Sequence, residues 1–233
     1  MAVMLSRMGF FTLRRSLKLL LSFPQEQKDP ERFYTDLARD TRRMLEELLG
    51  PISGKRILDV GGGPGYFREA FADCTYISLE LDGGDVRGDA QALPFADGAF
   101  DVVFSSNVAE HVPHPWVMGD EMLRVGGDVV LSYTIWLGPF GGHETGLWQH
   151  YLGGEFARDR YTKKHGHPPK NSFGTTMFAV SCAEGLRWAD RAIPDSEKLA
   201  FPRYHPRWAW WMVKVPGLRE LLVSNLVIVR RAA

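Results

Sequence analysis

The chain of 233 residues is 45% hydrophobic and 24% charged, with 28 Lys and Arg against 28 Asp and Glu. That composition supplies a core for one large or two small domains and excludes a disordered chain, and the lack of a basic surplus argues against nucleic acid as the main partner. Two cysteines, Cys74 and Cys182, are too few for a disulfide framework and point to reducing, cytoplasmic surroundings; no uninterrupted apolar run reaches bilayer length.

Met1 to Phe23 carries Arg7, Arg14, Arg15 and Lys18 and no acid, and no small-residue cleavage site follows, which argues against a signal peptide. On a helical wheel Phe10, Leu13, Leu17, Leu20 and Leu21 share a face, with Arg7, Arg14 and Lys18 apart from it. Residues 1–28 thus read as a basic amphipathic segment. It lies on an anionic membrane, at the inner face, or packs its apolar face on its own domain or a partner subunit. From Asp29-Pro30-Glu31 a helix is predicted, N-capped by Asp29, striped by Phe33, Leu37, Met44, Leu45, Leu48 and Leu49, and stopped at Gly50-Pro51. Arg56–Val60 reads as a buried strand, Tyr66–Ala72 as a helix after a glycine cluster, and Tyr76–Leu79 as a second strand. Phe100–Ser105 and Asp128–Tyr133 are further strands with a helix over Trp116–Leu123 between them. Strands alternating with helices predict an α/β fold, a parallel sheet with helices on both faces, and residues 29–233 form one domain.

Beyond the fourth of these strands, 138–174 is rich in Gly, His and aromatics and reads as loop plus short helix, a lid or acceptor region. Ser181 caps a helix through Asp190 with Glu184 at the capping-box position. Lys198–Tyr204 reads as a strand, Pro206–Leu222 as a helix broken near Pro216, and Asn225–Arg230 as a final strand. Trp208 and Trp211 with Lys214 and Arg219 suit a membrane interface or sugar surface, or else Trp208, Trp211 and Val215 are core on one helical face.

The stretch Asp59-Val60-Gly61-Gly62-Gly63-Pro64-Gly65 joins a strand to a helix, where glycines allow a tight turn and close backbone approach to a ligand. A dinucleotide fingerprint would need glycine at Tyr66, which disfavours a nucleotide-cofactor oxidoreductase, and no Gly-Lys-Ser/Thr ending marks a P-loop. Glu80 ends the next strand, followed by Gly88-Asp89-Ala90-Gln91-Ala92-Leu93-Pro94-Phe95. Asn107-Val108-Ala109-Glu110-His111-Val112 follows the third long strand, and Leu123-Arg124-Val125-Gly126-Gly127 precedes the fourth.

Together these ordered motifs, over residues 56–133, resemble the class I S-adenosylmethionine-dependent methyltransferases of the type 11-like family. The resemblance implies a Rossmann-like seven-stranded sheet and S-adenosyl-L-methionine as cofactor. It places Asp59, Gly61, Gly63 and Gly65 at the methionine end of the cofactor, and Glu80 with Leu81 at the ribose hydroxyls. Asp89 and Ala90 fall at adenine, and Asn107 at the end of the fourth strand of that family's sheet. One departure is legible: the few residues between Glu80 and Asp89 cannot hold an ordinary parallel crossover, so the connection between strands two and three is shortened and the third strand vestigial.

Methyl transfer to a hydroxyl benefits from a general base, for which His111, His143, Glu144 and His150 are candidates, each with a structural role as the alternative; His114 follows the same strand as His111. His143 and Glu144 lack a third ligand, so no metal is expected. The expected acceptor is a small molecule, a glycan or a lipid-linked compound, with possible membrane-surface contact. The competing reading is a catalytically silent cofactor-binding partner of a membrane-associated assembly.

Overall fold

Short apolar runs become parallel strands here because both of their faces are covered. The structure, a computed structural model, describes residues 9–26 and 28–232; Arg7 and the rest of the basic segment before Gly9 lie outside the described residues. Seven strands form one sheet: β1 (Arg56–Val60), β2 (Thr75–Glu80), β3 (Val86–Arg87), β4 (Phe100–Ser106), β5 (Gly126–Thr134), β6 (Lys198–Pro202) and β7 (Asn225–Arg230). Their order is β3-β2-β1-β4-β5-β7-β6, parallel from β3 through β5, with β7 antiparallel to β5 and β6 antiparallel to β7. The chain leaves β1 in one direction for β2 and returns on the other side through β4, so a switch point opens at the carboxyl ends of β1 and β4.

Alternate side chains feed two cores. Leu58, Val60, Leu79 and Val103 pack with Met118 and Met122 of α3 (Pro115–Val125) and Trp188 of α5 (Cys182–Ala192). Ile57, Val102 and Phe104 pack on the other face with Phe33, Leu37, Leu45 and Leu48 of α2 (Pro30–Leu49). The expected capping signals are all formed. Asp29 accepts from the Arg32 amide at 3.2 Å, Gly50 closes α2, and Ser181 and Glu184 make the reciprocal capping box of α5.

Several expectations need correction. Tyr66–Ala72 is a run of tight turns with one 3₁₀ segment, Glu69–Phe71, because the glycine loop takes the first residues of the β1–β2 connection and leaves too few for an α-helix. The strand expected to reach Tyr204 ends at Pro202, and Pro206–Leu222 is a 3₁₀ run, Arg207–Lys214, followed by a short helix, Leu218–Leu221. Within 138–174 the helix α4 (Gly154–His165) is 12 residues long and closes on Gly166 in the left-handed conformation.

The N-terminal helix α1 (Leu13–Glu26) does not bury its leucine stripe. Phe11 is in the core, edge-on to Phe201 and Trp210, whereas Leu13, Leu17 and Leu21 are exposed, Leu21 to 76%. What holds α1 is polar: Arg15 forms a two-pronged pair with Asp40 of α2, at 2.8 and 2.6 Å. Trp208 (71% exposed) and Trp211 are likewise outside the core, and Ala209, Met212 and Val213 take the buried positions expected for the tryptophans. No helix among the described residues is long and apolar enough to cross a membrane.

The β2–β3 connection is shortened as expected, to 81–85. Gly84, at φ +69°, lies so close to β2 that a Cβ would sit 2.9 Å from the Ser78 carbonyl. Asp85 then accepts from the Ser78 amide at 2.9 Å and its hydroxyl at 3.0 Å, supplying from a side chain part of what a longer third strand would have paired.

Candidate active site

The loop after β1 is built for close approach. Gly61, Gly63 and Gly65 have φ of 80°, 54° and 91°, and the Gly61 and Gly62 amides both donate to the Leu79 carbonyl, at 2.8 and 3.3 Å. A Cβ on Gly61 would overlap the Val108 side chain, and one on Gly62 would lie 3.0 Å from Asp59 Oδ2. A Cβ on Gly63 or Gly65 would meet nothing within 4 Å, so open space lies beside both glycines.

Glu80 is fastened to that loop. Its Oε2 accepts from the Gly63 amide at 3.0 Å and its Oε1 from the Leu81 amide at 2.9 Å, which leaves each oxygen capacity for a further donor such as a hydroxyl. Leu81 itself is exposed. Asp59, buried beneath Gly62, accepts a 2.6 Å bond from the Tyr76 hydroxyl. Burial pushes its carboxyl up to about 7, the Tyr76 bond opposes the rise, and the Glu80 charge adds to it. Gly88 donates to the Glu80 carbonyl at 3.0 Å and so brings Asp89 beside the end of β2; Asp89 accepts from the Gln91 amide at 2.8 Å, and Ala90 packs against the core beside it. Asn107, at φ 60°, ends β4 and accepts from Asn225 Nδ2 at 2.6 Å.

Glycine loop, Glu80, Asp89 and Asn107 therefore stand at the carboxyl ends of β1, β2, β3 and β4, around the switch point. An open cradle over Gly63 and Gly65, with a carboxylate held at its rim, fits an adenosyl ligand bearing vicinal hydroxyls. Tyr34 of α2 stacks on Tyr66 at 5.1 Å, so α2 closes one side of the loop, a contact no sequence spacing signals.

The histidine candidates separate. His111 lies on a 3₁₀ turn just past β4, and its Nδ1 meets the Thr176 carbonyl at 2.7 Å. His143 comes from the loop after β5, and its ring centroid is 5.3 Å from that of His111. Glu144 accepts from the Asn171 amide at 2.7 Å and from its Nδ2 at 2.8 Å, and the same Nδ2 lies 3.5 Å from His143 Nδ1. His150 is buried beside Trp136, its Nε2 3.2 Å from the Gly138 carbonyl, and burial lowers its pKa. Glu144 and His150 thus brace the loop that carries His143. Glu110, a member of the Asn107–Val112 motif whose spacing signals no role for it, is 2% exposed, and its Oε1 accepts from the Thr134 amide at 3.1 Å.

A cleft of about 340 Å³ lies between α1 and α2, lined by Leu19, Leu21, Phe33 and Leu37 together with Arg15, Lys18, Arg32, Asp36 and Asp40, with Tyr204 also on its wall. Arg203, next to Tyr204, donates to Ser106 Oγ at 2.8 Å, which ties that wall to the end of β4 beside Asn107.

Comparison with known proteins identifies the family and the fold. Residues 58–130 match the model of the family described as "Methyltransferase domain". A protein of Mycobacterium tuberculosis named as an uncharacterized methyltransferase is 57% identical over 94% of this chain and 94% of its own, and one of Mycolicibacterium gilvum is 54% identical over 96% of each. In fold, the chain is similar to a SAM-dependent methyltransferase of Thermotoga maritima, at TM-score 0.51 and 18% identity, covering 91% of this chain and 98% of that one.

Proposed function

The chain belongs to the family of S-adenosylmethionine-dependent methyltransferases, and from that premise we propose that it methylates a hydroxyl of an amphiphilic acceptor, a lipid-linked or glycan compound, at an anionic lipid surface. Bound in the cradle, S-adenosylmethionine supplies a methyl group already activated on a sulfonium. The chain's own task is to hold and align. Glu80 takes the ribose hydroxyls by charge-assisted bonds with Leu81 beside it, Asp89 and Ala90 take adenine, and Asp59, Gly61, Gly63 and Gly65 receive the methionine end, with Asn107 beside it. His111 and His143 mark where the acceptor hydroxyl is activated, on the loops after β4 and β5.

One observation carries the acceptor class. The cleft between α1 and α2 has an apolar wall with Lys18 and Arg32 at it, beside Asp36 and the Arg15–Asp40 pair, and Leu21 belongs both to that wall and to the exposed stripe of Leu13 and Leu17. Arg14 and Lys18 are exposed on the same helix, and the exposed Trp208 follows Arg207, whose amide donates to the Phe11 carbonyl. Leucines flanked by cations and an interfacial indole match an anionic lipid interface. The segment 138–174 borders the His143 end as the acceptor-side cover.

The test pairs transfer with binding. The full chain, given methyl-labelled S-adenosylmethionine and a phosphatidylglycerol vesicle carrying a bacterial lipid extract, is expected to place label in the lipid fraction. Glu80→Ala should bind the cofactor about 10- to 100-fold more weakly, as loss of charge-assisted bonds of about 1.5–3 kcal/mol requires. Leu17→Glu with Leu21→Glu should end sedimentation with anionic vesicles. Label found only in water-soluble products, or unchanged sedimentation of that variant, would sink the lipid-surface reading.

A further inference from the structure

Glu110, His111 and His143 each offer a ligand atom, and these atoms lie within 4.8 Å of one another. Two features set the cluster apart. Glu110 is nearly fully buried: Oε1 accepts from the Thr134 amide, but Oε2 has no hydrogen-bond partner among the described residues. A desolvated carboxylate oxygen left unpaired is expensive, and a cation offsets that cost directly. His143 also holds a left-handed backbone, φ 46°, uncommon for a residue with a Cβ and typical of positions where a side chain is aimed for a purpose.

The histidine chemistry agrees. The His111 Nδ1–H donates to the Thr176 carbonyl at 2.7 Å, which leaves the Nε2 lone pair as the free ligand position; backbone carbonyls hold metal-bound imidazoles in this way. Glu110 and His111 are adjacent on one 3₁₀ turn, whose position is fixed by the end of β4 and by the Phe178 amide donating to the Glu110 carbonyl at 2.8 Å. His143 arrives on a separate 3₁₀ turn, preceded by Gly141 and Gly142. Ligands bound at about 2.0–2.2 Å would draw together from their present separation by modest side-chain rotation.

We propose that Glu110, His111 and His143 form a binding site for one divalent cation of the Mn²⁺-to-Zn²⁺ series, to which two imidazoles and one carboxylate are suited, with open coordination positions for an acceptor oxygen. The site itself does not depend on the acceptor. Its role does rest on the methyl-transfer reading above, and deepens it. With the acceptor hydroxyl held there, the O–H gives its proton to water and the oxygen forms a bond to the methyl carbon. The C–S bond breaks with its electron pair passing to sulfur, so S-adenosylhomocysteine leaves and no oxidant or reductant enters.

Chelator-treated full chain would be titrated with Zn²⁺ and with Mn²⁺ by calorimetry, with Mn²⁺ also followed by paramagnetic resonance. One equivalent is expected to bind, and Glu110→Gln and His143→Ala should each weaken it at least about 10-fold. Glu110→Gln keeps an oxygen for the Thr134 amide, and His143→Ala alters a half-buried loop residue, so a melting curve of each metal-free variant verifies its fold and either one suffices. No saturable binding by the parent chain, or unchanged affinity in the folded variants, overturns the site, as does a stoichiometry that falls with the control His167→Ala. Methyl transfer that persists after the cation is removed overturns the acceptor role alone. Intact cation binding with no transfer to any lipid-linked acceptor counts instead against the proposed acceptor class.

Discussion

Asp59 is a carboxylate in an unusual position, buried under the glycine loop with the Tyr76 hydroxyl as its hydrogen-bond partner and Glu80 as a neighbouring negative charge. Its proton is held up to about 7, against an ordinary 3.8. Between those values the folded chain keeps a proton that the unfolded chain has lost. Stability from this group is therefore greatest below the ordinary value, falls as pH rises through the window, and levels off above about 7. Asp59→Asn keeps an acceptor for Tyr76 and removes the titration. Melting temperatures of the cofactor-free protein from acid to mildly alkaline pH should show a shallower decline in the variant, by a free energy of up to about 4 kcal/mol across the window. Parallel profiles would show that Asp59 binds its proton no more tightly in the folded chain than in the unfolded one.

At the scale of elements, the short β2–β3 connection is the departure from a regular crossover, and Gly84 makes it possible. Its φ of +69° and its approach to the Ser78 carbonyl leave no room for a side chain, so Gly84→Ala strains the backbone and pushes β3 off β2. The expected cost is about 1–3 kcal/mol in denaturant unfolding. Cofactor affinity should fall with it, because Gly88 on the far side of β3 positions Asp89 through the Glu80 carbonyl. A variant with parental stability and affinity would mean that the connection has slack the structure does not show. The β1–β2 connection, 61–74, is longer, but the glycine loop takes its first residues and only 3₁₀ turns follow before β2.

Across the whole molecule, the buried guanidinium of Arg203 joins the layers. Nη1 donates to Ser106 Oγ on β4 and Ser132 Oγ on β5, both at 2.8 Å, and Nη2 donates to Thr41 Oγ1 on α2 at 2.7 Å. Its carbonyl accepts from Arg15 Nη1 at 3.0 Å, so α1 hangs on the same residue. Arg203→Ala leaves a large cavity and three hydroxyls without their donor, and should destabilise by about 3–5 kcal/mol. Arg203→Met fills the space without a buried charge and should cost clearly less, as read from urea midpoints at equal slope. Equal losses in the two variants would assign the effect to the hydrogen bonds alone.

Much of this was legible in the chain itself. Period and punctuation located α2, β1, β4, β5, α5 and β7, because those elements are decided by local alternation, by Asp29 and Ser181 as caps, and by glycines that end helices. The ordered motifs from Asp59 to Gly127 identified the cofactor and the family, since close backbone approach and strand-end acids leave a fixed spacing in sequence. Tertiary structure decided which apolar faces are covered. The leucines of α1 and Trp208 have the same periodicity as core residues, and only the layers present around them determine that they face solvent. It also decided which acid joins the histidines. Glu144 is the sequence neighbour of His143, yet both of its carboxylate oxygens are taken by Asn171, and Glu110 arrives from the turn after β4 because a strand end and a distant loop meet only once the sheet has formed.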